Sequence, residues 1–283
     1  MSAPLSPLLQ VEDLRVQFDT RGGPVQAVDG VSFSIAPGAV LGLVGESGSG
    51  KSMTANAIMR LVDAPGKIAG GRILFKERDL LALPEEEMRS LRGNRIAMVF
   101  QDPMMSLNPV LTIATQMTES IHAHRRVARK AALDEAQAAL DKVGIANAGK
   151  RLHDYPHQFS GGMRQRVAIA IAMLNRPELI ICDEPTTALD VTTQAQILGE
   201  MQSLCSQSGT ALLWITHDLA VVAGLADEIC VMRRGAIVEQ GSVAAVLESP
   251  RHPYTRQLLR AVPSRHRPGE RLSTPVGEEG GHV

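Results

Sequence analysis

The most constraining feature of this sequence is the glycine-rich segment GESGSGKS at residues 45–52. It follows the apolar run Ala39–Val44, which predicts a buried parallel strand, and it leads into a predicted helix at Lys51–Leu61. This is the G-x-x-x-x-G-K-[ST] pattern in the strand–loop–helix context that a phosphate-binding loop requires. A glycine-rich hairpin that binds nothing is the alternative, and it would not need that context.

The residues of this loop have distinct predicted roles. Glycines leave the backbone N–H groups bare, so that the loop and the helix N-terminus after it can face a polyphosphate. Lys51 would bring a positive charge to the β- and γ-phosphates, and the Ser52 hydroxyl would coordinate Mg²⁺. The predicted nucleotide-binding set here is Gly45, Glu46, Ser47, Gly48, Ser49, Gly50, Lys51 and Ser52.

Two acidic residues end a second apolar run, LIICDE, which predicts a strand at Leu179–Asp183. A buried parallel strand delivers its last residues to the sheet edge at which ligands bind. Asp183 would hold Mg²⁺ through a water, and Glu184 would polarise the attacking water. The alternative is that the strand simply ends in two solvated acids. The phosphate loop earlier in the chain argues against this alternative.

The segment FSGGMRQR, at residues 159–166, predicts a second anion-binding helix N-terminus. Ser160 fits an N-cap, and Gly161 and Gly162 begin a strongly amphipathic helix with bare N–H groups. A merely loose turn is the alternative, but it would suit such a helix poorly. Ser160, Gly161 and Gly162 are therefore added to the predicted nucleotide-binding set, and Gln165 of the same segment is included with them.

Short strand-like runs alternate with helical stretches, which predicts an α/β fold with a parallel sheet and a P-loop NTPase core. Leu8–Phe18 and Val31–Ile35, with the turn sequence TRGGP between them, predict an N-terminal antiparallel β subdomain. Residues 102–158 predict a helical insertion. Other predicted elements are Arg72–Phe75, Ile96–Phe100, Gly161–Asn175, Gln194–Cys205, Ala211–Thr216, Glu228–Arg233, Ile237–Gln240, Val243–Glu248 and Tyr254–Ala261.

The chain resembles the ABC ATPase family over residues 8–262. SGGMRQR resembles the family's signature motif, Gln101 in VFQDP its Q-loop glutamine, Asp190 in TALD its D-loop, and His217 in ITHDL its switch histidine. These motifs occur in this chain in the same order as in the family, and that makes the resemblance specific. It implies the ABC ATPase fold, nucleotide contacts by Asp190, a catalytic set of Glu184, His217 and Gln101, and Mg²⁺ ligands Ser52, Gln101 and Asp183.

The resemblance also implies a mechanism and partners. ATP with Mg²⁺ would lie between the phosphate loop of one subunit and the signature helix of a second ATPase subunit, identical or paralogous. Binding would close this head-to-tail dimer and hydrolysis would reopen it. Integral-membrane permease subunits would hold the chain at the cytoplasmic face of the inner membrane, and an extracytoplasmic solute-binding protein would act on it indirectly.

Two segments narrow the branch of the family. VFQDPMMSLNPVLTI and SPRHPYTRQLLRAVP are similar to segments of the dipeptide, oligopeptide and nickel importers. The second segment forms the expected C-terminal region at 250–263, and by itself it predicts a turn and a short helix without chemistry of its own. The residues that carry this resemblance are Pro250, His252, Pro253, Tyr254 and Thr255. The expected domain spans residues 1–263, and the polar, Gly- and Pro-rich residues 264–283 predict a disordered tail.

Composition and patterning argue against several other kinds of protein. The net charge of -1 gives no field that would attract nucleic acid, so no nucleic-acid partner is expected. No apolar run reaches the ~20 residues of a membrane span. The cysteines, Cys182, Cys205 and Cys230, form no C-x-x-C pair, and none follows Cys230, so we expect buried thiols and no iron–sulfur cluster.

Two functional alternatives remain. A soluble ABC ATPase in DNA repair or translation would usually show a second nucleotide domain, zinc cysteines or a basic surface. A P-loop phosphotransferase would leave the signature helix and His217 unexplained. At the residue level, Phe18 either stacks on adenine or packs in the core, and the sequence leaves that choice open.

Overall fold

Two β-sheets organise the computed structural model, which describes residues 6–187 and 189–260. The strands, in chain order, are β1 (Leu9–Thr20), β2 (Gly23–Ile35), β3 (Val40–Val44), β4 (Gly66–Phe75), β5 (Arg78–Asp79), β6 (Ile96–Val99), β7 (Leu179–Asp183), β8 (Ala211–Thr216), β9 (Glu228–Arg233) and β10 (Ala236–Ser242). The helices are α1 (Lys51–Ile58), α2 (Glu85–Leu91), α3 (Ile113–His122), α4 (Arg129–Lys142), α5 (Ala148–Arg151), α6 (Gly161–Met173), α7 (Val191–Ser208), α8 (Leu219–Ala223), α9 (Val243–Glu248) and α10 (Pro253–Arg260).

The larger sheet has the strand order β10-β9-β3-β8-β7-β6. Neighbouring strands among β9, β3, β8, β7 and β6 are parallel. The edge strand β10 pairs antiparallel with β9. Strands β7 and β8 are buried along their whole length, as continuous apolar runs in a sheet covered on both faces should be. The parallel sheet of the predicted P-loop core is therefore confirmed, and its carboxyl edge gathers the ends of β3, β6, β7 and β8.

The smaller, N-terminal sheet is antiparallel in the order β2-β1-β4-β5, which confirms the predicted antiparallel subdomain. Its strands are longer than the sequence predicted. β2 begins at Gly23 rather than at Val31, because exposed polar residues and a bulged register interrupt its apolar alternation. Gly30, with a φ of 68°, lies at one of these irregularities.

Residues 102–158, all of them described, contain helices α3 to α5 and two short 3₁₀ turns but no β-strand. Buried side chains from these helices join those of α6 and of one sheet face in a single apolar cluster. The second apolar cluster lies between the two sheets and around α1. The helical segment thus rests on the same core that supports the parallel sheet.

The three cysteines are buried free thiols in β7, α7 and β9. Within the described ranges, no helix is both long and apolar enough to cross a membrane. The predicted tail at 264–283 and the last residues of the predicted segment 250–263 lie outside the described residues.

Candidate nucleotide-binding site

The phosphate loop joins β3 to α1 and is tightly enclosed by backbone. Gly50 caps α1 with a φ of 103°, and a Cβ atom added there would lie 2.5 Å from the carbonyl oxygen of Ala27. A Cβ atom at Gly45 would lie 2.2 Å from the carbonyl oxygen of Met232. These positions require glycine, and the backbone N–H groups of the loop are left without side-chain cover for an anion.

Lys51 is a buried ammonium group at the base of this loop, with the residue only 4% exposed. Its Nζ donates to the carbonyl oxygens of Gly45, at 2.8 Å, and Glu46, at 2.9 Å. Burial lowers the pKa of Lys51, while the carboxylates of Glu184 and Asp183 act in the opposite direction. The cation is therefore held within the loop that would surround the phosphates.

Ser52 and Asp183 bring two oxygen ligands together at the carboxyl edge of the sheet. The Ser52 hydroxyl donates to Asp183 Oδ1 at 2.9 Å, across 131 residues of sequence. Burial raises the pKa of Asp183, and the hydrogen bond from Ser52 partly offsets that effect. A mostly buried carboxylate beside a hydroxyl is a donor set that suits Mg²⁺, so these residues fit the metal that the family resemblance implies.

Glu184 follows β7 and its carboxylate is fixed by three neighbours. The carboxylate accepts a hydrogen bond from Thr187 Oγ1 at 3.0 Å and lies 3.2 Å from His217 Nδ1 and 3.7 Å from Lys51 Nζ. The backbone of Glu184 has a φ of 45°, an unusual value for a non-glycine residue, and its N–H donates to Ile215 O on β8. The side chain is thus aimed from a constrained backbone at the mouth of the phosphate loop.

Gln101 and His217 lie just beyond β6 and β8, at the same edge of the sheet. Gln101 is exposed, and the His217 side chain is about half exposed. The parallel arrangement of the strands therefore brings Gln101 and His217 to the sheet edge at which the phosphate loop lies, with His217 in direct contact with Glu184.

The signature segment forms an exposed helix N-terminus, as its sequence predicted. Ser160 caps α6 by accepting the N–H of Met163 at 3.3 Å, and both Ser160 and Gly161 are exposed. A Cβ atom at Gly162 would lie 2.7 Å from the side chain of Thr193 on α7. The beginnings of α6 and α7 are therefore in close contact.

Asp190 caps α7 and uses the same threonine. Its carboxylate accepts from Thr193 N at 2.9 Å and from Thr193 Oγ1 at 2.7 Å, and these hydrogen bonds lower the pKa of Asp190. The exposed Asp190 is thus held as an anion beside the signature helix. Its predicted contact with nucleotide stays a prediction.

The predicted contact of Gln165 with nucleotide stays a prediction. Gln165 is 1% exposed, and it lies on the face of α6 that packs into the protein. It follows Gly161 by four residues, so both lie on the same side of α6, but Gln165 is one turn further from the open N-terminus. Within one turn of α6 the surface thus changes from exposed, at Gly161, to covered, at Gln165.

Phe18 lies in β1 opposite Gly66 of β4, and its ring occupies the space above that glycine. It is partly buried and packs against the apolar cluster between the two sheets. Its packing is that of a core residue with one exposed side, and adenine stacking stays a prediction.

Two residues at the site escaped the sequence analysis. Thr187 holds the Glu184 carboxylate, whereas the family resemblance of the TALD motif that contains it points only to the aspartate. The hydroxyl of Tyr254 accepts the backbone N–H of Glu46 in the phosphate loop at 3.0 Å. Tyr254 belongs to the C-terminal segment, whose sequence predicts only a turn and a short helix, and no local signal places it beside the loop.

Comparisons with known proteins agree with this geometry. The ABC transporter family matches residues 28–187, and the oligopeptide/dipeptide transporter C-terminal region matches residues 238–281. The chain is 50% identical to the oligopeptide transport ATP-binding protein OppD of Bacillus subtilis over 270 residues, covering 95% of this chain and 75% of that protein. It is 48% identical to the dipeptide transport ATP-binding protein DppD of the same organism, covering 96% and 81%.

Among solved structures, the chain is similar to the ATP-binding cassette MJ0796 in a dimeric post-hydrolysis state bound to ADP and Pi. The TM-score is 0.72 at 27% identity, and the alignment covers 83% of this chain and 98% of that one. The similarity therefore includes both the architecture and almost the whole of that cassette.

Proposed function

The chain belongs to the ABC transporter family, and on that premise we propose that it is the ATP-hydrolysing subunit of a peptide importer. The observation that supports the enzymatic part most directly is the cluster of Lys51, Ser52, Asp183 and Glu184 at the phosphate loop. It combines a cation for phosphates, oxygen ligands for a metal and a carboxylate base within one site.

The nucleotide would be held by the loop backbone and by Lys51, whose ammonium group already lies among the loop carbonyls. Ser52 and Asp183 would hold Mg²⁺, with Gln101 completing the set from the next strand. When bound, that ion neutralises negative charge that develops between the β- and γ-phosphates. Here the protein's contribution is to fix these ligands before the substrate arrives.

Hydrolysis would use Glu184 as the general base. Its carboxylate accepts the proton of the water whose oxygen attacks the γ-phosphorus, and the bond to the ADP oxygen breaks. Thr187 and His217 hold the carboxylate oxygen that faces them, which leaves Glu184 with a defined orientation. His217 would also reach the γ-phosphate from its half-exposed position.

A second ATPase subunit would complete the site. Ser160 and Gly161 present an open helix N-terminus to solvent, and such a terminus favours an anion. In a head-to-tail dimer this terminus would face the γ-phosphate held by the other subunit. ATP would then stabilise the closed dimer to the extent that it binds the closed state more tightly than the open one. Hydrolysis would remove this difference in affinity.

The peptide cargo and the membrane partners come from the relatives. The chain is similar to oligopeptide and dipeptide transport ATP-binding proteins, and it carries the C-terminal region of that branch. It would therefore bind integral-membrane permease subunits at the cytoplasmic face of the inner membrane. A solute-binding protein outside the cytoplasm would act through those permeases.

The test is ATP hydrolysis by the chain assembled with the permease subunits encoded beside it. We expect a solute-binding protein loaded with di- or oligopeptides to stimulate phosphate release, and the same complex with Lys51→Ala to show no stimulation. Stimulation by nickel alone would replace the peptide cargo with a metal. Rapid hydrolysis by the isolated chain, indifferent to any permease, would overturn the importer assignment in favour of a soluble ABC ATPase.

A further inference from the structure

The C-terminal segment, residues 250–260, places one side chain directly against the phosphate loop. Tyr254 on α10 is 2% exposed, and its hydroxyl oxygen accepts the backbone N–H of Glu46 at 3.0 Å. The two residues are separated by 208 positions in sequence. This contact connects a segment that is characteristic of one branch of the family with the nucleotide-binding loop.

The contact acts on a peptide group that is already held from its other end. The carbonyl oxygen of Gly45 and the N–H of Glu46 belong to the same planar peptide unit. Lys51 Nζ donates to that carbonyl at 2.8 Å, while the Tyr254 hydroxyl accepts from that N–H. The first peptide of the phosphate loop is therefore fixed on both sides, and its rotation would break two hydrogen bonds.

The Tyr254 ring is itself held in place. The guanidinium of Arg233, at the end of β9, lies 4.8 Å from the ring centroid. His252 Nδ1 accepts the backbone N–H of Tyr254 at 3.2 Å. The Glu239 carboxylate on β10 accepts the N–H groups of Arg251, at 2.7 Å, and of His252, at 3.1 Å. The whole turn before α10 is thus tied to the edge of the core sheet.

We propose that Tyr254 is a positioning residue for nucleotide binding, which fixes the Gly45–Glu46 peptide in the orientation that the phosphate loop needs. This inference rests on the proposed function of the loop. Without the hydroxyl, the part-buried N–H of Glu46 loses its acceptor, and one of the two hydrogen bonds that oppose rotation of the peptide is lost. The apparent affinity for nucleotide then falls in proportion to the fraction of loops in the competent orientation.

The proposal also predicts a reciprocal effect. If the C-terminal segment stabilises the binding-competent loop, then bound nucleotide must stabilise the docked segment by the same free energy. Hydrogen exchange of residues 250–260 should therefore slow when MgATP binds. A segment that serves only as packing for the core would show no such response.

The experiment compares the full-length wild type with Tyr254→Phe and Tyr155→Phe. Tyr155 is the other tyrosine of the chain, it is 39% exposed, and its substitution removes the same hydroxyl away from the loop. Loss of one hydrogen bond at the loop should raise the Kd for MgATP by about three- to tenfold in Tyr254→Phe. Tyr155→Phe should stay within about twofold of the wild type.

Two further measurements separate positioning from general stability. In the assembled transporter, Tyr254→Phe should raise the KM for ATP and leave kcat at saturating ATP nearly unchanged. Hydrogen exchange should accelerate in residues 45–50 and not across the sheet. Glu239→Ala, which loosens the turn without touching the tyrosine ring, should weaken MgATP binding in the same direction.

Equal MgATP affinity in Tyr254→Phe and the wild type would overturn this inference alone, and so would tighter binding by the variant. Uniform acceleration of hydrogen exchange across the whole chain would also overturn it, because the residue would then be structural. If the wild type itself bound no MgATP, the proposed function would fail, and the inference would fail with it.

Discussion

Replacing Glu184 with glutamine tests the proposed catalytic base with the smallest change of shape. An amide oxygen can still accept the Thr187 hydroxyl, which lies 3.0 Å from the carboxylate, so the loop geometry is retained. The substitution removes the negative charge that faces Lys51 at 3.7 Å and His217 at 3.2 Å, and it removes the ability to accept a proton. The change is therefore directed at chemistry rather than at binding.

The expected size of the effect follows from the role of a general base. Such a group contributes about 10²–10⁴ in rate, which corresponds to roughly 3–5 kcal/mol of barrier. In the proposed site Lys51 contacts the phosphates and Ser52 contacts the metal, and neither contact involves Glu184. The Kd for MgATP should accordingly stay within a few-fold of the wild type while turnover falls.

The assay is steady-state phosphate release from the assembled transporter at saturating MgATP, with the Kd measured separately by calorimetry. Glu86→Gln is the matched control, because it makes the same chemical change at an exposed position in the first turn of α2. We expect that control to release phosphate at the wild-type rate. Turnover of Glu184→Gln within twofold of the wild type would refute the assignment of Glu184 as base.

Three other substitutions test separate parts of the site. Lys51→Ala should weaken MgATP binding by at least about tenfold, since a charged hydrogen bond contributes ~1.5–3 kcal/mol; unchanged affinity by calorimetry would contradict its role in the phosphate loop. Ser160→Arg should prevent ATP-driven dimerisation in size-exclusion chromatography but leave ATP binding by the monomer intact; normal dimerisation would exclude the head-to-tail sandwich. Gly45→Ala should lower the free energy of unfolding by about 1–3 kcal/mol, because its Cβ would overlap the carbonyl oxygen of Met232 at 2.2 Å; chemical denaturation measures this, and an unchanged midpoint would show that the loop can shift.

Local pattern was sufficient for most of the core elements. The predicted strands Leu179–Asp183, Ala211–Thr216 and Glu228–Arg233 match β7, β8 and β9 at both ends. Each is a short apolar run with a clear boundary, and buried parallel strands have this signature. The exposed, bulged beginning of β2 at Gly23 has no such signature, so the sequence predicted only the last part of that strand.

Helix termini were also accessible to sequence reasoning, but the faces of the helices were not. Ser160 was predicted as the cap of α6 and is observed there, because capping depends on residues within one turn. Gln165 belongs to the same motif and is nevertheless buried. Which side of a helix is covered depends on the elements that pack against it, and the motif contains no information about them.

The sequence by itself determined the phosphate loop, the acid pair after its strand, the capped start of the signature helix and the family, since each depends on residues adjacent in the chain. Only the tertiary structure decided that Ser52 meets Asp183 and that Tyr254 meets the N–H of Glu46. These contacts join residues 131 and 208 positions apart, and they exist because strand order and packing bring distant segments to one sheet edge. Short-range pattern describes what a segment can form, whereas the packed fold determines which segments become neighbours.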